Sequence, residues 1–490
     1  MADGRQVIQD QKVLVHDRCL IGGVWEVADE GLTLPVENPA TGDVLAEVPL
    51  MGAVETRRAI NAARAAFPLW SSLLADERAD FLFRWYELIQ EHAEGLAHLL
   101  TAEQGKPLQE ARGEIRYAAS FVRFFAEEAR RVYGETIPAH RNDNRVVVMR
   151  EPIGVVACIT PWNFPAAMIT RKAAPALAAG CTVVMKPAEA TPLSALALAG
   201  LAEQAGALPG VLNILTGIPN DIGVELCANP DVRKMSFTGS TAVGRLLAER
   251  CAPTVKRLSL ELGGNAPFIV FEDANLDAAV AGAILCKFRH SGQTCICANR
   301  FLIHSSVVAE FTVRLLAKVK LLKLGCGFDP DVDVGPLINE AAIAKVEAHI
   351  ADALAKGASL LVGAASHKIG TRFFPPTVLS GITPQMRMAR EETFGPVAGL
   401  MTFQEEAEAI QLANDTEFGL AGYFYSRDIS RAWRVARRLE CGMVGINTGF
   451  LSIETAPFGG VKQSGFGREG SHHGISEFLQ LKYMNFGVVS

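Results

Sequence analysis

Apolar and polar positions along the chain change their period twice. Over residues 52–132 apolar side chains recur at the spacing of an α-helix, most plainly in AVETRRAINAARAAFPLW (53–70), so this region is predicted to be largely helical. From about residue 153 short β-rich runs take over: IGVVACIT (153–160), CTVVMKP (181–187), GVLNILTG (210–217), RKMSFTGS (233–240) and KRLSLELGG (256–264). Each is bounded by Gly or Pro, and the Ala/Leu-rich segments between them are long enough for a crossover helix. Runs of this kind predict βαβ units and a parallel sheet covered on both faces. Ligands of doubly wound sheets bind at the C-terminal ends of the strands, so chemistry is expected just past each run.

A second apolar series, NAPFIVF (265–271), ANRFLIH (298–304), FFPPTVL (373–379), GPVAGLMTF (395–403) and GMVGINT (442–448), predicts a second α/β lobe. Segments 134–152 and 477–490 read as strands outside both lobes, of the kind that pair with another subunit. No internal repeat is present. At 490 residues the chain exceeds what one core serves, ~250–300 residues, which agrees with two lobes.

Composition narrows the class. Hydrophobic residues at 49% and charged residues at 20% are the balance of a soluble globular protein. A net charge of −6 with no polybasic run makes nucleic acid an unexpected partner. No apolar run reaches the ~18 residues of a membrane helix. Residues 1–30 carry no apolar core of a signal peptide and are too acidic for a transit peptide. The ten cysteines are scattered, several inside apolar runs, as buried free thiols in a reducing compartment would be. The expected location is the cytoplasm.

Four stretches carry candidate chemistry. FTGSTAVG (237–244) sets Gly239 and Gly244 between a strand and a helix, where backbone amides could hold a pyrophosphate, although the spacing is not that of the dinucleotide fingerprint. In MKPAEATP (185–192), Lys186 and Glu189 follow a strand; a carboxylate there can accept the ribose hydroxyls and repel a 2′-phosphate, favouring NAD over NADP. The same residues also suit a solvated helix start. LELGGN (260–265) ends an apolar run on Glu261, where a raised pKa would make a general base. RHSGQTCICANR (289–300) holds Cys295 and Cys297 on a Gly-bounded loop. A metal site is not expected, because His290 and His304 complete no ligand pair. A reactive nucleophile, a packed thiol and a strained reversible disulfide all remain open for these cysteines from the residues alone.

TPWNFP (160–165), KPAE (186–189), FTGSTAVG, ELGGNAP (261–267), GQTC (292–295), EETFGP (391–396) and PFGGVKQSGFGRE (457–469) occur together in this order. The set, from about residue 20 to the C-terminus, resembles the aldehyde dehydrogenase superfamily. The resemblance implies an α/β fold with a Rossmann-type cofactor domain (1–133 and 153–262), an α/β catalytic domain (263–445) and an oligomerisation β-hairpin (134–152 and 477–490). It implies Cys295 as nucleophile, Glu261 as general base and Asn163 as oxyanion donor beside the Cys295 backbone N–H. Trp162, Lys186, Glu189, Gly239, Ser240 and Leu262 would line the cofactor site, with Glu392 and Phe394 on the nicotinamide ribose and ring. The cofactor would be NAD, with NADP second. A glutamate at 261 favours hydrolysis of the thioester over transfer to coenzyme A.

Within the superfamily, WNFPAAMITRKAAPALAAGC (162–181), KFRHSGQTC (287–295) and NTGFLSIETAPFGG (447–460) are most similar to the succinate-semialdehyde dehydrogenases. That similarity implies that Arg171, Arg289 and Ser452 bind the distal carboxylate of a small semialdehyde, the reaction belonging to 4-aminobutyrate breakdown. Glutarate semialdehyde is the nearest competing substrate. His290-Ser291 and Ile453 depart from the usual pattern and bear on the length of acid accepted. Some members close a disulfide between the nucleophile and the cysteine two residues on, and a homodimer or homotetramer is the implied assembly. A non-catalytic protein on the same fold is the contrasting reading, opposed by the joint presence of Cys295, Glu261, Asn163 and Glu392.

Overall fold

The computed structural model describes all residues except 1–10, 12, 13, 365–368 and 488–490. Its larger sheet has eight strands, five of them parallel in the spatial order Leu212–Ile214, Thr182–Lys186, Val155–Ile159, Val232–Thr238, Arg257–Glu261. In chain order that is third, second, first, fourth, fifth, the Rossmann arrangement, with its switch point between Val155–Ile159 and Val232–Thr238. The antiparallel pair Cys19–Ile21 and Val24–Glu26 extends one side, and Gly465–Phe466 closes the other against Arg257–Glu261.

Why the runs are continuously apolar follows from the pleat. Val156, Cys158, Val183 and Met185 enter the core formed with helices Ala75–Glu91, Leu108–Ala129 and Ala167–Ala179. Val155, Ala157, Val184 and Phe237, one residue out of step, enter the core on the opposite face, with Ala59, Ile60 and Ala63 of helix Ala53–Ser72. Every residue of Ala167–Ala179 is buried, so this helix is packed on all sides, and its Arg171 and Lys172 must find partners inside.

The second sheet has seven strands in the order Ser359–Val362, Thr377–Ser380, Val397–Phe403, Ala298–His304, Ala266–Val270, Ala421–Tyr425, Met443–Ile446; only the first is antiparallel to its neighbour. The same alternation divides Phe268, Phe301 and Tyr423 from Ile269, Leu302 and Phe424. Prolines 375 and 376 shorten the FFPPTVL run to Thr377–Ser380.

Leu479–Gly487 pairs along its whole length with Asn144–Pro152, and Glu135–Ile137 completes a separate three-stranded sheet. Glu135–Ile137 and Asn144–Pro152 are consecutive and form a hairpin, to which Leu479–Gly487 adds as a third strand from the far end of the chain. The hairpin Thr33–Glu37 with Val44–Pro49 is a further element for which the sequence pattern carried no signal.

Candidate active site

The strand ends facing the second sheet surround a cavity of about 340 Å³. Trp162 and Asn163 reach it from the loop after Val155–Ile159, Gly239 and Ser240 from the end of Val232–Thr238, and Glu261 and Leu262 from the end of Arg257–Glu261. Glu392 and Phe394 close it from the other lobe, and Cys295 stands at its floor. Ser240 caps helix Thr241–Cys251 by accepting the Val243 N–H at 3.4 Å. Earlier N–H groups of that turn are left for an anion. The buried Thr238 hydroxyl, which lines the cavity, has no hydrogen-bond partner.

Lys186 and Glu189 sit one strand away and do not line this cavity. The buried Lys186 Nζ lies 3.4 Å from the half-buried Glu189 carboxylate and donates to Pro187 O at 3.0 Å. Burial holds the Lys186 pKa below its ordinary value. Its carbonyl accepts the Thr160 N–H at 3.1 Å, which ties this strand end to the Trp162 loop.

Cys295 follows helix Leu276–Phe288 and precedes strand Ala298–His304. Two glycines allow its backbone to approach the neighbouring motifs. A Cβ on Gly264 would lie 2.4 Å from Cys295 O, and one on Gly292 would lie 2.2 Å from Gly395 O, with φ of +73° besides. The walls around the thiol and the Glu392 charge push its pKa up to about 12, against the pull of Arg171. In this state it is a thiol, and nearby positive charge or proton removal must precede its use as a nucleophile.

Glu261 is 2% exposed and neither carboxylate oxygen has a partner. Burial, reinforced by the charge of Glu469, raises its pKa well above the ordinary carboxylate value. Desolvation pushes the half-buried Glu392 up to about 7, while the Gly264 N–H, donating at 3.0 Å, pulls the other way. Asn163 Nδ2 donates to Gln293 O at 3.0 Å, so one of its two N–H groups remains for another acceptor. Phe394 meets the edge of Trp162 at 5.5 Å between ring centres.

A second cavity of about 230 Å³ lies on the other side of Cys295 and holds all three expected substrate residues, Arg171, Arg289 and Ser452. Among the described residues only Met168 and Cys295 line both cavities. The arginines differ in state. Arg171 is buried, with its guanidinium 2.5 Å from Glu469, which also holds Lys172, and it lies 4.1 Å from the centre of the Phe458 ring. Arg289 stands over Phe450 at 5.4 Å, with no ion pair or hydrogen bond from its guanidinium among the described residues. Of the two departures in the sequence pattern, His290 lines this cavity while Ile453 is 48% exposed and does not.

Cys297 lines neither cavity. Its Sγ accepts Thr294 Oγ1 at 3.1 Å and donates to Lys287 O at 3.7 Å, and all ten cysteines are free thiols. Among the described residues no group of three or more His, Cys, Asp or Glu could hold a metal ion.

Residues 25–484 match the aldehyde dehydrogenase family. The chain belongs to that family. It is 57% identical over 475 residues to an Escherichia coli succinate-semialdehyde dehydrogenase named for NADP(+), covering 97% of this chain and 98% of the relative. A glutarate-semialdehyde dehydrogenase of Pseudomonas aeruginosa is 56% identical over 482 residues, covering 98% of this chain and all of the relative. The crystal structure of a succinate-semialdehyde dehydrogenase from Burkholderia pseudomallei superposes with a TM-score of 0.96 at 60% identity, covering 97% of this chain and 98% of that one. As an aldehyde dehydrogenase the chain uses NAD(P).

Reading the sequence for this family's motifs left out several residues of the site. Glu469 ends the PFGGVKQSGFGRE motif, yet only the structure brings it against Arg171 and Lys172. Lys106, just before helix Leu108–Ala129, and Glu110 and Glu114 in its first turns line the second cavity, more than a hundred residues before Cys295, and no local pattern marks the first two. A charged residue within an otherwise apolar helical face was the available signal for Glu114, which is 4% exposed.

Proposed function

We propose that this aldehyde dehydrogenase oxidises succinate semialdehyde to succinate with NAD(P), through a thiohemiacetal and then a thioester on Cys295. One observation carries the reading: the Cys295 thiol stands between a cavity edged by the ends of a Rossmann sheet and a cavity holding two guanidinium groups. The first suits a dinucleotide, with a helix N-terminus for the phosphates, the unpartnered Thr238 hydroxyl, and the Glu392 carboxylate and Phe394 ring at the far wall. Trp162, Gly239, Ser240 and Leu262 would complete that site. The bound cofactor supplies the hydride acceptor.

The protein's own groups account for the remaining steps. The Cys295 thiol gives its proton to water in the cavity as its sulfur adds to the aldehyde carbon, and the oxyanion takes hydrogen bonds from Asn163 Nδ2 and the Cys295 N–H. Glu261, buried and without partners, takes the proton from the water that cleaves the thioester. Arg289, with Arg171 and Ser452, holds the distal carboxylate; Arg171 shares its charge with Glu469, so Arg289 is the stronger anchor.

Preference for NAD over NADP rests on Glu189 alone, with Lys186 oriented beside it, and the E. coli relative is named for NADP(+). Glutarate semialdehyde is the second substrate, favoured by the Pseudomonas aeruginosa relative. The reading divides the chain into a cofactor domain (1–133 and 153–262), a catalytic domain (263–445) and oligomerisation strands (134–152 and 477–490), working in the cytoplasm as a homodimer or homotetramer.

The test is kcat/KM for succinate semialdehyde, glutarate semialdehyde and butanal with each cofactor. Succinate semialdehyde is expected to exceed butanal by about 100-fold, the worth of one buried charge-assisted pair. Equal values for the two would end the proposal, and a lower KM for NADP than for NAD would end the use made of Glu189.

A further inference from the structure

The turn from Arg289 to Gln293 is strained backbone next to the thiol. His290 and Ser291 both take φ of 55°, and Gly292 follows at 73°, so three left-handed residues run in succession and only the last is a glycine. Such a conformation persists only when its surroundings hold it. Ser291 Oγ donates to Gly335 O at 2.9 Å, and the Gln293 amide accepts the Ile338 N–H at 3.0 Å. The third support is Glu110, whose Oε1 and Oε2 both receive the His290 N–H, at 3.1 and 3.0 Å.

Glu110 differs from the other two supports because it lines the cavity assigned to the substrate. It stands in the first turn of helix Leu108–Ala129, and the charges it meets are Lys106, Arg289 and Asp333. Lys106 is already occupied by Glu114 and by Asn163 O at 2.8 Å. The carboxylate therefore grips the start of a turn whose first residue, Arg289, faces the substrate's distal end and whose continuation carries Cys295.

We propose that Glu110 is a positioning residue for the oxidation: by holding the His290 N–H it fixes Arg289 and Cys295 at one spacing, so that both ends of a single substrate are met together. The inference rests on the proposed function for the identity of that substrate, whereas the hold on Cys295 does not depend on it. The effect is on backbone geometry. An acceptor oxygen at the same reach should serve as well as a carboxylate, and a shorter or absent side chain should not.

Glu110→Gln, Glu110→Asp and Glu110→Ala, each in the full chain, are assayed with succinate semialdehyde and with butanal, which shares its four-carbon chain but has no anion. Iodoacetamide labelling of Cys295, followed by mass spectrometry, reads the thiol directly. Glu110→Gln is expected to stay within about threefold of the parent throughout, as one retained acceptor implies. Glu110→Ala and Glu110→Asp are expected to lose kcat about tenfold on both aldehydes and to change the labelling rate, as a displaced nucleophile does. Their KM is expected to rise about tenfold for succinate semialdehyde only, through the displaced Arg289. Should Glu110→Ala fail to fold, Glu110→Asp against Glu110→Gln makes the same comparison. Parent-like values for Glu110→Asp, an equal loss in Glu110→Gln, or a KM change shared by both aldehydes would overturn the inference. A parent enzyme that does not distinguish the two aldehydes would instead sink the proposed function, with kcat on butanal still judging Glu110.

Discussion

Two carboxylates near the thiol are buried to opposite effect, and their neighbours explain why. Glu261 has no hydrogen-bond partner, so burial dominates and its proton is held more tightly than usual. Burial also acts on Glu469, but Lys172 and Arg171 outweigh it and hold that pKa below the ordinary value. As the proposed base, Glu261 would have to be deprotonated to accept the water's proton, so turnover should rise with pH through a step well above the ordinary carboxylate range near 4.5. Glu261→Gln should remove that step and lower kcat by about 10²–10⁴-fold. A rapid first turnover of NAD(P)H should survive, because acyl transfer to Cys295 does not require this base; stopped-flow absorbance checks both parts. Glu469 has the opposite linkage. Its stabilising contribution is fully present above the unfolded carboxylate pKa and is lost as pH falls through the lower folded one. Glu469→Gln should cost about 3–5 kcal/mol, since it leaves the buried Arg171 and Lys172 facing one another without their anion. The shift in the denaturant midpoint measures it.

At the scale of elements, the turn before Cys295 is where small backbone changes should have the largest functional consequences. Gly292→Ala would place a Cβ 2.2 Å from Gly395 O at a positive φ, against the segment that carries Glu392 and Phe394. A fall in kcat/KM of about 10²-fold is expected, with a higher KM for NAD(P), from steady-state assays. Gly357 gives the contrast: its φ of +94° is as unfavourable for alanine, but nothing lies within 4 Å. Gly357→Ala should lower stability by about 1 kcal/mol and leave kcat unchanged. The sequence revealed elements in proportion to how much of their environment was contiguous. Central parallel strands such as Thr182–Lys186, buried on both faces, are unbroken apolar runs. The edge strand Gly465–Phe466, which positions Glu261 by pairing with it, is two residues long and has no periodicity to read. The expected site residues Cys295, Glu261 and Asn163, which line one cavity, stood out through a set of motifs in order, since none identified itself alone. Glu110 reaches the second cavity, and Glu469 reaches Arg171 and Lys172 behind it, by tertiary folding, and their significance lies in partners that the sequence does not place beside them.

For the whole molecule, the unresolved demand is a sheet edge. Leu479–Gly487 pairs on one side with Asn144–Pro152 and is the outer strand on the other, leaving a row of backbone donors and acceptors unpaired among the described residues. Its Leu481, Tyr483 and Phe486 are 68%, 62% and 52% exposed, and an edge that both exposes apolar side chains and offers a free ladder favours pairing with another copy. Neither cavity is lined by any residue of this strand, so assembly and chemistry can be separated by mutation. Joint Leu481→Lys and Tyr483→Lys substitution sets like charges beside Lys482 and should oppose pairing between copies. Multi-angle light scattering is expected to find the parent as an oligomer and the variant at the mass of one chain, with kcat per subunit within about threefold because the substituted strand lines neither cavity. A monomeric parent, or a variant of unchanged mass, would rule out this edge as the assembly surface. A monomer with a much lower kcat would show instead that neighbouring subunits stiffen the lobes around Cys295.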